Sequence, residues 1–214
     1  MFMTRIKICG LTRGEDVDGA VAAGADAIGF VFYPPSPRYV APEAAAALVA
    51  RLPPFVTAVG LFVNPAPEAV EAVLAQVPLG LLQFHGDETE ALCRSFHRPY
   101  LKAARVRPEL DLVQYAAAYP SAQGILLDAF VQGYGGGGKT FDWTLVPAHL
   151  GKPLVLSGGL DPDNVGQALA RLKPQAVDVS SGVEQAKGIK DRAKIQAFVA
   201  AVRAADRAAG PDGD

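Results

Sequence analysis

Short apolar or β-branched runs alternate with helical patterns along almost the whole chain. Strand-like runs occur at 5–9, 27–32, 57–63, 80–84, 100–104, 124–128, 153–156 and 176–180. Helical segments follow at about 15–23, 42–51, 67–76, 87–98, 108–118, 141–149, 162–171 and 190–208, with Asp87 and Glu90 spaced as in a capping box. Eight strands, each followed by a helix, predict an α/β fold, the closed (β/α)8 TIM barrel.

An open doubly wound sheet is the alternative arrangement of such elements. That fold usually carries a G-x-G-x-x-G turn after its first strand, whereas this chain has Cys9-Gly10-Leu11-Thr12 there. A length of 214 residues without a low-complexity linker suits one domain. We predict a barrel domain over 1–208 and a frayed polar tail over 209–214.

Charge and cysteine usage exclude several classes of partner. The net charge is −2 and the basic residues are scattered, so we expect no nucleic-acid partner. No apolar run approaches the roughly 18 residues of a membrane span, and a signal-peptide core is missing. The histidines and the two cysteines do not cluster, so we expect no metal and no cofactor. We therefore expect a cytoplasmic protein with reduced thiols and no obligate protein partner.

Several reactive side chains fall where strands end, which is where TIM barrels build their active sites. Cys9 ends the first strand, His85 follows the fourth and Asp128 ends the sixth. We expect all three at one mouth of the barrel. His85 could carry protons or orient its neighbours, and the sequence leaves both roles open.

Lys7 shares a strand face with Cys9, opposite Ile6 and Ile8, and should lie inside the barrel. A buried lysine needs a partner, for which Asp178 on the eighth strand is the candidate. Asp178 could serve only this neutralisation or take part directly in catalysis. The lysine should also favour the thiolate of Cys9, because a free thiol pKa of about 8.5 is too high for a good base.

Two serine-glycine loops follow the last two strands. They contain Ser157, Gly158 and Gly159, and Ser180, Ser181 and Gly182. Small residues let backbone amides approach an anion, and a short helix beginning after the second loop would add a favourable dipole. We predict a phosphate site between the loops, with plain tight turns as the alternative.

Two further loops at the predicted mouth have unusual compositions. Arg38 follows three prolines in the loop after the second strand, where it could bind a carboxylate or be a solvated surface arginine. Residues 129–140 include the run Gly133-Tyr134-Gly135-Gly136-Gly137-Gly138-Lys139-Thr140, whose letters match a nucleotide-binding P-loop. The context does not match, since the run stands apart from the sixth strand, and we interpret it as a mobile lid.

The chain resembles the phosphoribosylanthranilate isomerase family in nine segments that occur in order from Lys7 onwards. They are 7–12 (KICGLT), 24–30 (GADAIGF), 36–38 (SPR), 59–64 (VGLFVN), 83–86 (QFHG), 127–128 (LD), 138–143 (GKTFDW), 156–160 (LSGGL) and 178–184 (DVSSGVE). Each segment is weakly specific by itself, but nine in register are highly specific. One departure is Gly137, where the family often has a non-glycine residue.

The resemblance implies an enzyme of tryptophan biosynthesis. The implied reaction is the Amadori rearrangement of N-(5-phosphoribosyl)anthranilate to 1-(2-carboxyphenylamino)-1-deoxyribulose 5-phosphate. By the same resemblance, Asp128 is the acid, Cys9 is the base, Arg38 binds the anthranilate carboxylate and the two serine-glycine loops hold the phosphate. The implied partner is a small phosphosugar, and the implied reaction uses no metal and no redox step.

Two rival functions remain open from the sequence. A related isomerase of histidine biosynthesis rearranges an aminoimidazole substrate. That family resembles a design with two aspartates, so a cysteine at the base position, Cys9, argues against this function. Its substrate also carries a second phosphate, for which we find no second loop pair. The other rival is a phosphosugar-binding barrel without catalysis, which Cys9 and Asp128 together disfavour.

Overall fold

Eight parallel strands close on themselves in chain order in the computed structural model, which describes residues 3–129 and 140–210. The strands are β1 (Arg5–Cys9), β2 (Ala27–Val31), β3 (Thr57–Phe62), β4 (Leu81–Phe84), β5 (Tyr100–Val106), β6 (Gly124–Ala129), β7 (Leu154–Leu156) and β8 (Ala176–Val179). The pairing of β1 with β8 places Lys7 opposite Asp178 and completes the ring. The predicted (β/α)8 barrel is confirmed, and this closure rules out the open sheet.

Helices cover the outside of the barrel. They are α1 (Gly14–Ala23), α2 (Pro42–Val49), α3 (Pro67–Leu74), α4 (Glu90–Ser95), α5 (Leu112–Ala117), α6 (Val165–Leu172) and α7 (Arg192–Ala208). Outward-facing strand residues such as Ile6 and Ile8 are fully buried in the core cluster that also contains Val17 of α1 and Phe198 of α7. The inward-facing residues are thereby left to fill the barrel and its mouth.

The predicted helix at 141–149 is wrong. Only Trp143–Leu145 are helical there, as a single 3₁₀ turn that begins after Asp142. Val146 is extended, with φ −82° and ψ 119°, and it precedes Pro147. A residue before proline is disfavoured in the α region, and proline cannot donate a helical hydrogen bond. The apolar spacing of this segment therefore could not produce a helix.

The connection between β8 and α7 contains a hairpin that the sequence pattern did not indicate. A 3₁₀ turn at Ser181–Val183 is followed by a small antiparallel hairpin of β9 (Glu184–Ala186) and β10 (Ile189–Lys190). Helix α7 then begins at Arg192, with Asp191 accepting hydrogen bonds from two backbone amides at its start. The hairpin places Glu184 and Lys190 beside the mouth of the barrel.

Two expectations fall largely outside the described residues. They are the lid at 129–140, of which 130–139 are not described, and the tail at 209–214, of which 211–214 are not described. Within the described ranges, no helix has both the length and the apolar composition needed to cross a lipid bilayer.

Candidate active site

Cys9, His85 and Asp128 lie at the carboxyl ends of β1, β4 and β6. Because all barrel strands run in the same direction, the three side chains belong to one mouth. All three are buried, with exposed fractions of 5%, 5% and 7%. The structure therefore gathers the predicted reactive residues in a largely water-excluded region.

The environment of Cys9 contains the predicted Lys7–Asp178 pair. Lys7 Nζ lies 2.9 Å from Asp178 Oδ1, and both side chains are buried. Burial disfavours the ammonium, but the charges and hydrogen bonds of Asp178 and Cys9 together outweigh it and raise the pKa of Lys7. Glycine is needed at position 29, since a Cβ there would lie 2.7 Å from the sulfur of Cys9.

The thiol of Cys9 is held in its neutral form more strongly than the sequence suggested. Burial raises the pKa of Cys9 above its usual value, and the positive charge of Lys7 offsets this only in part. Asp178 also raises the pKa of the thiol, because its negative charge disfavours a second negative charge on the sulfur of Cys9. The expected favouring of the thiolate by Lys7 is correct in direction, but burial outweighs it.

His85 and Asp128 are in direct contact. His85 Nε2 lies 3.0 Å from Asp128 Oδ2, and Asp128 Oδ1 accepts a hydrogen bond from the backbone amide of Ala129 at 2.9 Å. On its other side, Nδ1 of His85 lies 3.0 Å from Nε2 of Gln83. The imidazole thus joins Asp128 to a buried amide on β4.

Arg38 is buried, so the alternative of a solvated surface arginine is wrong. Its guanidinium donates to both oxygens of Glu184, from Nε at 2.7 Å and from Nη2 at 2.8 Å. Lys190 donates to the same carboxylate at 2.8 Å. The side chain of Arg38 lies against Gly10, where a Cβ would meet its Cδ at 2.5 Å.

The second serine-glycine loop lies against Leu160, the residue that directly follows the first loop. A Cβ on Gly182 would lie 1.9 Å from the carbonyl oxygen of Leu160, so glycine permits this approach. Gly158 and Gly159 have φ values of 84° and 66°, which favour glycine. The 3₁₀ turn at Ser181–Val183 starts one residue before Gly182 rather than after it.

Backbone amides in these loops are available to a ligand. The amide of Ser157 donates to Leu127 and is therefore occupied. Within residues 3–129 and 140–210, the amides of Gly158, Gly159, Ser181 and Gly182 donate to no protein acceptor. Unsatisfied amides on adjacent loops, two of them at the start of a helical turn, are suited to an anion.

Four polar residues near the mouth were not predicted from the sequence as site residues: Gln83, Glu88, Lys102 and Glu184. Lys102 Nζ lies 3.0 Å from Glu88 Oε2, and neither side chain is exposed. The signal for Lys102 was a single lysine within a strand-like run, the same signal that identified Lys7. Glu88 lies in the loop after β4 and Glu184 begins the short strand β9, and neither belongs to a barrel strand whose periodicity shows which side chains face inward. Across the described residues, His, Cys, Asp and Glu form no group of three placed to hold a metal ion.

Comparison with known proteins places this geometry in a family. A profile of the family described as N-(5'phosphoribosyl)anthranilate (PRA) isomerase matches residues 6–201. The N-(5'-phosphoribosyl)anthranilate isomerase of Dechloromonas aromatica is 70% identical over 203 residues, covering 95% of this chain and 98% of the relative. The enzyme of the same name from Leptothrix cholodnii is 64% identical, with 95% and 92% of the two chains covered.

Solved structures of the same family are also similar to this chain. The phosphoribosyl anthranilate isomerase of Thermotoga maritima has 46% identity and a TM-score of 0.87, with 94% of this chain and 100% of that chain covered. A structure of PRAI in complex with reduced 1-(o-carboxyphenylamino)-1-deoxyribulose 5-phosphate has 43% identity and a TM-score of 0.84 over the same fractions. The chain therefore belongs to the N-(5'-phosphoribosyl)anthranilate isomerase family.

Proposed function

We propose that Cys9 is the general base and Asp128 the general acid of the isomerase reaction. The protein is an intramolecular isomerase of tryptophan biosynthesis that converts N-(5-phosphoribosyl)anthranilate to 1-(2-carboxyphenylamino)-1-deoxyribulose 5-phosphate. The observation that carries the assignment is a buried thiol and a buried carboxyl group at the same mouth of one barrel. Two such groups can transfer protons at two atoms of one sugar.

The first step uses Asp128. Its carboxyl proton goes to the ring oxygen of the ribose while the bond between that oxygen and C1′ breaks. The anilino nitrogen supplies its lone pair to form a C=N bond, which gives a protonated Schiff base and a carboxylate on Asp128. His85 Nε2, which is 3.0 Å from Asp128 Oδ2, can donate to that carboxylate as its charge develops.

The second step uses Cys9. Its thiolate removes the proton on C2′, the C–H electrons form a C=C bond to C1′, and the C=N electrons return to nitrogen. The resulting enolamine becomes the ketone when a proton moves from the hydroxyl on C2′ to C1′. Asp128 has lost one proton and Cys9 has gained one, so the isomerisation consumes none.

Substrate binding follows from the groups around these two residues. We assign the sugar phosphate to the free amides of Gly158, Gly159, Ser181 and Gly182. We assign the anthranilate carboxylate to Arg38, whose Nη1 amino group has no acceptor among the described residues. A guanidinium can hold Glu184 along one edge and a second carboxylate along another. Arg38, His85 and the two loops would then orient a small phosphosugar as the ligand of this mouth.

A turnover assay on the purified protein tests the function. N-(5-phosphoribosyl)anthranilate should lose its fluorescence at a rate proportional to protein concentration, and the aminoimidazole substrate of the histidine pathway should not turn over. Binding of the anthranilate substrate without turnover would instead indicate a phosphosugar-binding barrel. We also propose a cytoplasmic location, which the two free cysteines support.

A further inference from the structure

Gln83 is a fully buried amide on β4, two residues before His85. It lies on β4, where Leu82 and Phe84 face outward into the core and Gln83 faces the same way as His85. Its exposed fraction is 0%. A buried amide destabilises a fold unless its donors and acceptors are satisfied, so its partners indicate its role.

The contact with His85 has a defined direction. An amide nitrogen can only donate, so Gln83 Nε2, at 3.0 Å, makes Nδ1 of His85 the acceptor. The proton of the neutral ring must then be on Nε2, which donates to Asp128 Oδ2 at 3.0 Å. One amide therefore sets the tautomer of His85 and, with it, the hydrogen bond that reaches the proposed acid.

The other end of the amide is unsatisfied. Gln83 Oε1 is buried and has no hydrogen-bond partner within the described residues. A buried polar atom without a partner destabilises the fold, and a leucine of similar size would avoid that loss. Gln83 therefore stabilises the fold less than a buried amide would whose donors and acceptor are all paired.

We propose that Gln83 is a positioning residue that fixes His85 as the Nε2–H tautomer and thereby supports proton transfer from Asp128. This inference rests on the proposed role of Asp128 as the acid. As Asp128 gives its proton to the ring oxygen, its carboxylate needs a donor already aimed at Oδ2. The tautomer that Gln83 selects presents that donor, whereas the other tautomer would present a lone pair to a developing negative charge.

Two substitutions separate this role from a purely structural one. Gln83→Leu removes the donor at nearly constant volume, so His85 should become a mixture of tautomers. Gln83→Glu presents a carboxylate that accepts from Nδ1–H, so the ring proton should move to Nδ1. We expect kcat to fall about 10-fold or more in both variants, with KM changed less than about 2-fold, because the lost hydrogen bond matters chiefly in the transition state.

The readout is ¹⁵N NMR of protein labelled at histidine, combined with steady-state kinetics and thermal unfolding. The two other histidines, His97 and His149, are exposed and precede β5 and β7 at the far end of the barrel. The variants His97→Asn and His149→Gln therefore assign the spectra and serve as kinetic controls. In the unchanged protein, His85 should show an unprotonated Nδ1 and a protonated Nε2.

The outcomes distinguish this inference from the proposed function. An unchanged His85 tautomer in Gln83→Leu, or a shifted tautomer with unchanged kcat, overturns the inference. A fall in kcat that is fully accounted for by unfolding of the variant at the assay temperature also overturns it, since a positioning role requires slower turnover by the folded protein. Asp128→Asn tests the function separately: full activity in that variant removes the acid role, whereas the tautomer measurement still reports on Gln83 and His85.

Discussion

Arg38 and Glu184 form a buried bidentate ion pair between the loops that follow β2 and β8, with donor–acceptor distances of 2.7 and 2.8 Å. The guanidinium is therefore fixed before any substrate arrives. A fixed donor loses little rotational freedom on binding, which makes Arg38 a better carboxylate clamp than a mobile surface arginine would be. The pair also ties the hairpin of β9 and β10 to the loop after β2, across β1.

Substitution of Arg38 should affect binding more than chemistry. A carboxylate contact exists in the substrate and the transition state alike, so Arg38→Ala should raise KM clearly and lower kcat less. Arg38→Lys should recover only part of the loss, because lysine cannot bind two oxygens side by side. Steady-state kinetics on both variants checks this, and unchanged KM in both would remove the assigned role.

The same substitution should also lower stability. Arg38→Ala leaves Glu184 buried with Lys190 as its remaining cation, so we expect a loss of about 1–3 kcal/mol in the free energy of unfolding, measured in urea. The matched control is Arg51→Ala, which removes an arginine whose pair with Asp18 is exposed. That variant should keep its KM and unfold almost as the unchanged protein does.

Removal of the acid or the base should lower turnover while the fold persists. A general acid or base contributes about 10²–10⁴-fold, so Cys9→Ala and Asp128→Asn should each lower kcat by at least about 10²-fold. Cys93→Ala is the control, since Cys93 is also a buried thiol but lies on α4, away from the mouth. Near-normal kcat in either site variant would show that its assigned role is wrong.

The pH dependence should reflect the buried thiol. Cys9 must lose its proton to act as a base, and burial raises the pKa of that proton above its usual value. The thiolate is then the minor form at neutral pH and grows as pH rises. We expect the thiolate absorbance of Cys9 near 240 nm, taken as the difference from Cys9→Ala, to rise from pH 6 to pH 9 without levelling off. A plateau of that absorbance below pH 8 would contradict the raised pKa.

The phosphate site depends on how closely its loops approach. In Gly182→Ala the new Cβ would meet the carbonyl oxygen of Leu160 at 1.9 Å, so the loops must separate. We expect KM to rise at least about 10-fold and competitive inhibition by inorganic phosphate to weaken equally, since backbone amides would be displaced from the anion. Gly166→Ala on α6 is the control, because its Cβ would meet nothing within 4 Å. Equal inhibition of both variants would place the phosphate elsewhere.

The barrel and the centre of the site could be predicted because both follow strand periodicity. The first strand was predicted at 5–9 and is Arg5–Cys9, and the alternation of its side chains correctly placed Lys7 opposite Asp178. Once the strands are known, the fold itself dictates which of their residues face the mouth.

Loop interactions could not be predicted because they are not periodic. Asp87 had the spacing of a helix cap, yet α4 begins at Glu90 with Thr89 as its cap. The amide of Asp87 instead donates to the side chain of Asn64, in the loop after β3. Asn64 and Asp87 meet because β3 and β4 are neighbours in the sheet, whereas Arg38 reaches Glu184 only because β1 pairs with β8 and closes the barrel.

The contacts of Lys102 on β5 with the loop after β4 can be tested by substitution. Its ammonium donates to the carbonyl oxygen of Gly86 at 2.6 Å and to Glu88 at 3.0 Å, while Glu88 accepts from the amide of Gly86. The cluster holds the segment that carries His85. Lys102→Met leaves Glu88 buried without a cation, which should cost about 3–5 kcal/mol in urea unfolding and lower kcat by displacing His85.

A double substitution distinguishes the lost charge from lost packing. In Lys102→Met with Glu88→Gln, the amide oxygen can still accept from Gly86, and no buried charge remains without a partner. We therefore expect the double variant to be more stable than Lys102→Met alone, which is the reverse of what additive damage predicts. Arg94→Met, which removes an exposed arginine 3.7 Å from Glu90, should change the free energy of unfolding by less than about 1 kcal/mol. If Lys102→Met unfolds at the same urea concentration as Arg94→Met, the cluster does not hold this segment of the site.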